Sequence, residues 1–138
     1  MYDRQFELEV VKAGSLASAA DIGNFTPGYM PVYVRAVAVV LTTTASCAGV
    51  VKVDKRPTVG SDTSRGDGDI ASITIPNAAA AGTVYYQDQI NIKLSPGEQA
   101  VVEVTDATGN GTQTADVIFV LDPAPEVPGN NTDLIATA

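Results

Sequence analysis

The side chains that most often carry catalysis are scarce in this chain. Histidine is absent, and the single cysteine, Cys47, lies among small residues in the segment TTTASCAGVV. Histidine is the commonest general base and a frequent metal ligand, so its absence leaves Cys47 without the usual activating partner. We therefore interpret Cys47 as a small buried residue, and one cysteine permits no disulfide within the chain.

Carboxylates are the remaining candidates for metal binding or catalysis. Asp62, Asp67 and Asp69 lie close together in the loop over residues 58–69, and such spacing can bind calcium. The loop lacks the residue order and the terminal glutamate of an EF-hand, so we predict no metal and no cofactor and keep a calcium loop as the alternative. A pair of Asp or Glu carboxyl groups can also hydrolyse a glycosidic bond. Such sites usually bind the sugar on aromatic side chains, and aromatic residues are 6% of this chain. We expect no enzymatic activity.

Composition limits the partners that the chain can bind. The 138 residues fit one domain, and the net charge is −8, from 16 acidic and 8 basic residues. So few cations make a phosphate-binding groove implausible, and we predict no nucleic-acid partner. No segment has the apolar length that crosses a bilayer, and the N-terminal MYDRQFELEVVKAG lacks the pattern of a secretory signal. We expect no membrane partner and assembly in a cytoplasm.

Apolar and polar residues alternate with the period of β-strands along most of the chain. Hydrophobic residues are 45% of the chain and are dominated by Ala and Val, which suits a thin sandwich core. The spacing of strands and turns predicts about eight short strands in a single all-β domain, a β-sandwich of jelly-roll type. The clearest strands are Phe6–Val10, Val32–Leu41, Val50–Val53, Ile70–Ile75, Ile90–Leu94, Ala100–Val104 and Ala115–Leu121.

One turn has a specific signature. In Ser95-Pro96-Gly97-Glu98, proline presets φ at the second position and glycine permits positive φ at the third, as a type II turn requires. Alternating apolar residues flank the turn on both sides. We therefore predict a hairpin that joins Ile90–Leu94 to Ala100–Val104.

The C-terminal residues differ from the rest of the chain. Pro123, Pro125 and Pro128 prevent regular strand pairing, which places the β-sandwich domain at residues 1–122 and an extended tail at residues 123–138. The tail could be disordered, or it could lie along a neighbouring subunit. Leu134 and Ile135 near its end favour docking, because a stiff proline-rich segment loses little entropy when it binds.

Arg35 is the most informative charged residue. It interrupts Val32–Leu41, which is otherwise apolar on both faces and reads as a central strand covered on both sides. A buried arginine requires a carboxylate partner. Two interpretations stay open: the outer face of the strand is partly exposed, or Arg35 makes a contact between subunits.

Several segments from residue 31 onward form one pattern: Pro31–Leu41, Val53–Pro57 with the loop that follows, Gly82–Tyr86, Ser95–Glu98 and Pro128–Thr132. Together these segments resemble the capsid decoration, or cement, proteins of tailed bacteriophages. The first thirty residues match less clearly, and none of the matching segments is a catalytic signature.

This resemblance implies a structural virion protein. Such proteins bind the outer surface of the expanded head as trimers, at threefold and quasi-threefold positions, and clamp the major capsid protein lattice. The expected partners are therefore the major capsid protein and further copies of the chain. The N-terminal segments of such proteins often contact the capsid, so Tyr2 and Phe6 join Arg35, Leu134 and Ile135 as candidate capsid or subunit contacts.

Other functions fit the same composition less closely. A head-fibre or tail-associated β-module is the main alternative, and a carbohydrate-binding version would need exposed aromatic residues. The tyrosines available for that purpose are Tyr29, Tyr33, Tyr85 and Tyr86.

Overall fold

Nine β-strands form in the part of the chain that the computed structural model describes, which is residues 7–11, 16, 20–45, 48–58, 69–105 and 113–123. No helix occurs in these ranges. The strands are β1 (Glu7–Val11), β2 (Ala20–Phe25), β3 (Val32–Leu41), β4 (Gly49–Pro57), β5 (Asp69–Ile75), β6 (Val84–Gln87), β7 (Ile92–Leu94), β8 (Glu98–Thr105) and β9 (Ala115–Asp122).

The strands pair in a nested, antiparallel order. β1 pairs with β9, β2 with β8, β3 with β6 and β7, and β4 with β5. β9 also pairs with β3, and β8 with β4, so the nested strands form two sheets. The β1 sheet has the order β1-β9-β3 with β6 and β7 beyond, and the β2 sheet has the order β2-β8-β4-β5. This is the strand order of a jelly roll, and the predicted all-β sandwich is confirmed.

The core lies between the two sheets and is mostly aliphatic. β-branched residues dominate it, as the composition predicted, and Phe119 is its largest fully buried side chain. The ring of Phe25, from the opposite sheet, lies 6.0 Å from the ring of Phe119. Each fully buried Val, Leu, Ile or Phe contributes about 1.5–3 kcal/mol relative to exposure, so this layer holds the sheets together.

The predicted hairpin is wrong, although its turn is confirmed. Gly97 has φ of +94°, and the Glu98 amide donates to the Ser95 carbonyl at 2.9 Å. However, β7 pairs with β3 in one sheet, and β8 pairs with β2 and β4 in the other. The turn therefore carries the chain from one sheet to the other, because each strand finds its partners elsewhere in the nested order.

The N-terminal strands also differ from expectation. Leu8 lies opposite Val120 rather than a core residue, and its side chain is 67% exposed. Leu8 therefore lies on the outer face of the β1 sheet, although the alternation in Phe6–Val10 is typical of a strand whose apolar side is buried. β2 was not predicted, because a register shift between Asp21 and Gly23 breaks the alternation that reveals a strand.

β3 is central, but only one of its faces is buried. It lies between β9 and the pair β6 and β7. Val34, Val37 and Val39 are fully buried, whereas Ala36 and Ala38 on the other face are only half-buried. The expectation that both faces are covered is therefore corrected: the described residues leave the outer face partly open.

Several predictions fall outside the described residues. The tail beyond Pro123, Asp62, Asp67 and the side chain of Asp69 are among them, so the tail and the calcium alternative stay predictions. Cys47 lies outside the described residues as well. Within the described ranges, no helix has the length and hydropathy needed to cross a bilayer.

Candidate binding surfaces

Of the five predicted contact residues, the structure describes one, Arg35. Tyr2, Phe6, Leu134 and Ile135 lie outside the described residues. Arg35 is described and has partners within its own chain. Its role as a subunit contact stays a prediction.

Arg35 sits in a bulge on the outer face of the β1 sheet. The register between β3 and β9 shifts between Val34 and Ala36, which leaves Arg35 without a residue opposite. Its Nη2 and Nε atoms donate to Asp122 Oδ2 at 2.8 and 3.2 Å. The guanidinium lies 5.0 Å from the centre of the Tyr33 ring and also hydrogen-bonds to Asn91 Oδ1. We call these four residues the Arg35 cluster.

The Arg35 cluster joins three parts of the β1 sheet. Arg35 and Tyr33 are in β3, Asp122 ends β9, and Asn91 lies between β6 and β7. The side chain of Asp122 is 1% exposed and that of Arg35 is 28% exposed, so the pair is partly shielded from water. The cluster therefore supplies the carboxylate partner that the sequence required and closes one end of the sheet.

The two predicted contact segments start at this same end. Glu7 lies opposite Leu121, so β1 begins where β9 ends. Tyr33 lies opposite Asp122, which places the start of β3 beside both. The structure therefore brings together the attachment points of the N-terminal segment and the C-terminal tail, next to Arg35.

The outer face of the β1 sheet is apolar beyond the Arg35 cluster. Ile118 lies directly opposite Ala38, and Val120 lies opposite both Ala36 and Leu8. Side chains of directly opposed residues share a face, so these form one continuous surface. The apolar face consists of Leu8, Ala36, Ala38, Val40, Val84, Tyr86, Ile118 and Val120.

The outer face of the β2 sheet is charged instead. Arg56 Nη1 lies 2.9 Å from Asp21, and Arg56 Nη2 lies 3.3 Å from both Asp54 and Glu103. Arg56 is only 5% exposed, although it lies on an outer face. We call these four residues the Arg56 cluster.

The carboxylates around Arg56 favour its charged form. Burial lowers the pKa of Arg56, but hydrogen bonds and charges from Asp21 and Asp54 raise it by more, so the net pKa is above its ordinary value. While the carboxylates are charged, a raised folded-state pKa stabilises the fold below the unfolded pKa, and this contribution is lost as the pH rises through the folded pKa. On the alkaline side, the contribution of Arg56 is therefore lost at strongly alkaline pH.

One loop between the sheets exposes large apolar side chains. Between β2 and β3, Tyr29 is 98% exposed and Met30 is 47% exposed. Beside this loop a groove of about 580 Å³ opens next to β1. The groove is lined by Leu8, Glu9, Phe25, Pro27, Gly28, Val32 and Leu121.

The four tyrosines do not form one aromatic platform. Tyr85 and Tyr86 are neighbours in β6, and Tyr85 packs against the core while Tyr86 faces outward. Tyr33 belongs to the Arg35 cluster, and Tyr29 is in the loop before β3. In the described ranges, no group of three or more His, Cys, Asp or Glu residues is placed to hold a metal ion.

The sequence analysis missed the apolar face, and it named Tyr29 of the loop only as a candidate for sugar binding. The signal for the face was present, because β3 and β9 are apolar at successive positions rather than alternate ones. The apolar run of β3 was interpreted as a strand covered on both sides. Tyr29 and Met30 had no comparable signal, since the exposure of a loop residue depends on the strands that flank it.

Comparison with known proteins gives no family. No protein-family model matches the chain, and no curated protein matches it significantly. Among solved structures, the chain is similar to a chain from "Structure of infectious bursal disease virus Gx strain", with 14% sequence identity and a TM-score of 0.41. The match covers 92% of this chain and 32% of the viral chain.

Proposed function

We propose that this protein is a structural component of a phage virion, which binds the outer surface of the head as a homotrimer and stabilises the major capsid protein lattice. The observation that carries the proposal is the apolar face, where β-branched, alanine and aromatic side chains occupy the outside of a sheet. Exposed apolar patches of this kind mark surfaces that meet other protein. The resemblance to decoration proteins suggests two neighbours, further copies of this chain and the major capsid protein.

The described charged residues support a structural role. Asp122 is engaged by Arg35, and Asp21, Asp54 and Glu103 are engaged by Arg56. An arginine that binds a carboxylate of another strand ties the two strands together. We therefore propose no catalytic role for these groups.

The N-terminal segment is proposed as the contact with the capsid. It leaves the fold where β1 meets β9, beside the start of the tail and the Tyr29–Met30 loop. A segment attached at the end of a sandwich can reach a surface below it while the sheets stay intact. Tyr2 and Phe6 are the large apolar groups that it offers.

Binding to purified expanded heads tests the proposed function. The protein is mixed with heads, the heads are pelleted, and the temperature at which they release DNA is measured. We expect saturable co-sedimentation and a higher release temperature. A Tyr2→Ala, Phe6→Ala double variant should lose most of the binding, and Thr74→Ala, at an exposed position of β5, should retain it. Absence of both co-sedimentation and thermal protection would exclude the proposed function.

The carbohydrate-binding alternative can be tested separately. Its aromatic residues point to different surfaces, so no observation favours it. A glycan array with the purified protein would show binding if a tail-associated, sugar-binding role applied.

A further inference from the structure

The apolar face is a sheet surface that the described residues leave open. Leu8 and Tyr86 are each 67% exposed, and Val84 is 51% exposed. Natural sheets usually carry polar side chains on a face that stays in water, as the exposed Ser72 and Thr74 do on β5. An apolar outer face indicates that another surface covers it.

The shape of the apolar face suits a protruding group. Ala36 and Ala38 form a strip of small side chains along β3. Larger side chains flank that strip, with Ile118 on the β9 side and Tyr86 on the β6 side of Ala38. The two small side chains leave a shallow depression in the middle of the sheet, which we call the channel.

The charge of the apolar face suits a second copy of this chain. A chain of net charge −8 repels its own copies on most approaches. Charged residues of this face stand at its two ends: Arg35, paired with Asp122, and Lys93, opposite Tyr33, at one, and Asp116, opposite Val40, at the other. Two copies can therefore meet here without placing carboxylates against each other in the centre.

The chain also carries a surface that fits the channel. Tyr29 and Met30 protrude from the loop between β2 and β3, at an end of the sandwich rather than on a sheet face. A contact between a protruding loop and a flat face involves two different surfaces. Copies joined by such a contact follow one another head to tail. They close into a ring when the rotation that relates each copy to the next leads back to the first copy.

We propose that the apolar face is the contact surface between copies of this chain in the trimer, and that it receives Tyr29 and Met30 of the next copy. This inference rests on the trimeric state in the proposed function. It assigns that trimer a surface and leaves the N-terminal segment for the capsid.

The area of the apolar face is better matched to a closed ring of three copies than to a dimer. Four strands about 4.8 Å apart, with about six residues at 3.3 Å each, give a footprint of about 400 Å² per copy. A standard stable interface buries about 800 Å² per partner, so a single contact of this kind is weak. In a closed ring of three, each copy makes two contacts, and removal of one copy breaks both. We expect a monomer–trimer equilibrium in which the dimer is scarce.

Sedimentation velocity across a range of protein concentrations tests the proposal. We expect Ala38→Glu to raise the concentration at which half the protein is trimeric by at least tenfold, because it places a carboxylate in the channel. Thr74→Glu adds the same charge on the outer face of the β2 sheet and should behave as the wild type. Tyr29→Glu should weaken the trimer as much as Ala38→Glu does, since it alters the other half of the contact.

Folding of each variant is checked by its thermal melting transition. If Ala38→Glu melts early, Tyr86→Glu replaces it, because that side chain is 67% exposed and lies on the same face. A wild-type chain that stays monomeric at all concentrations overturns the inference. Trimers unaffected by a folded Ala38→Glu or Tyr86→Glu variant also overturn it, and trimers sensitive to these but not to Tyr29→Glu overturn the role of the loop.

Head binding separates this inference from the proposed function. A wild-type monomer that binds heads, and an Ala38→Glu variant that does not, would show that the face contacts the capsid. The self-association and the homotrimer would then be wrong, and the head-binding part of the proposed function would hold. Trimers that depend on Ala38 but do not bind heads would support the inference for the face and exclude the capsid role.

Discussion

Two arginines, one on the outer face of each sheet, bind carboxylates that other strands carry. Arg35 binds Asp122 at the end of β9, and Arg56 binds residues from β2, β4 and β8. An arginine suits this task because its planar group donates in several directions at once. At the scale of single residues, the outer faces are thus fixed by ion pairs as well as by strand pairing.

The Arg35–Asp122 pair should be important for stability. We expect Asp122→Asn to lower the free energy of unfolding by about 1–3 kcal/mol, because it leaves a partly buried guanidinium without its charged partner. Urea denaturation of the purified protein measures this loss. Asp116→Asn, on the same strand and half-buried, is the control and should change stability by less than about 0.5 kcal/mol. Equal effects of the two variants would contradict a special role for Asp122.

Removal of Arg56 should lower the free energy of unfolding by more than Asp122→Asn does. Arg56→Met removes the cation that three carboxylates share, and we expect a loss of about 2–4 kcal/mol, below the full cost for a buried pair because Asp21 and Glu103 are partly exposed. Lys55→Met is the matched control. Lys55 pairs with Glu98 at 3.2 Å, but both side chains are more than a quarter exposed, so its loss should cost about 0–1 kcal/mol. Thermal melting of the two variants side by side should show this difference, and a reversed order would refute it.

The turn between β7 and β8 shows how an element joins the two sheets. The Ser95 amide donates to Glu98 Oε1 at 2.8 Å, and the Thr58 amide donates to the Gly97 carbonyl at 2.9 Å. The turn is therefore held from within and by the end of β4. A rigid turn at this point fixes where the chain leaves the β1 sheet and enters the β2 sheet.

Gly97 should be the sensitive position of this turn. We expect Gly97→Ala to destabilise the protein by about 1–2 kcal/mol, because φ of +94° is strained for any residue with a Cβ. Gly28→Ala is the control, since a Cβ at Gly28 meets no atom within 4 Å and the backbone there does not need glycine. Chemical denaturation should show a clear loss for the first and almost no change for the second. A neutral Gly97→Ala variant would mean that the turn readily adopts another conformation.

The elements also show what sequence patterns can and cannot predict. The continuous apolar runs of β3 and β9 and the alternation in β8 predicted those strands, and Pro96-Gly97 predicted the turn, because these signals depend on local chemistry. Strand pairing depends on distant residues, so the pattern that flanked the turn could not show that β7 and β8 join different sheets. β2 was not predicted, because its register shift with β8 interrupts the alternation of apolar and polar residues.

The same limit applies to the candidate surfaces. Arg35 was conspicuous within an apolar run, and its need for a carboxylate followed from burial alone. Asp122 could not be named as the partner, because the two residues meet only through the register of β3 with β9. The apolar face was hidden for a similar reason: successive apolar residues show that both faces of a strand are apolar, but not what covers the second one.

For the whole molecule, the nested order separates pairs that are close in sequence from pairs that are distant. β4 and β5 pair with each other directly, whereas β1 pairs with β9 from the other end of the chain, with Leu8 opposite Val120. Closing a longer loop costs more entropy, so the inner pairs of the nested order can form before the outer ones. Folds dominated by such distant pairings fold in about milliseconds to seconds.

We expect this order to appear in matched core variants. Val51 in β4 and Val117 in β9 are buried to a similar degree, with 1% and 0% exposure, and each loses the same atoms on substitution by alanine. Val51→Ala should mainly slow refolding, because the centre of the nested order forms early, and Val117→Ala should mainly accelerate unfolding. Stopped-flow measurements in urea give both rates. A larger effect of Val117→Ala on refolding would show that the chain ends pair first, and the jelly roll would then close from its outside inward.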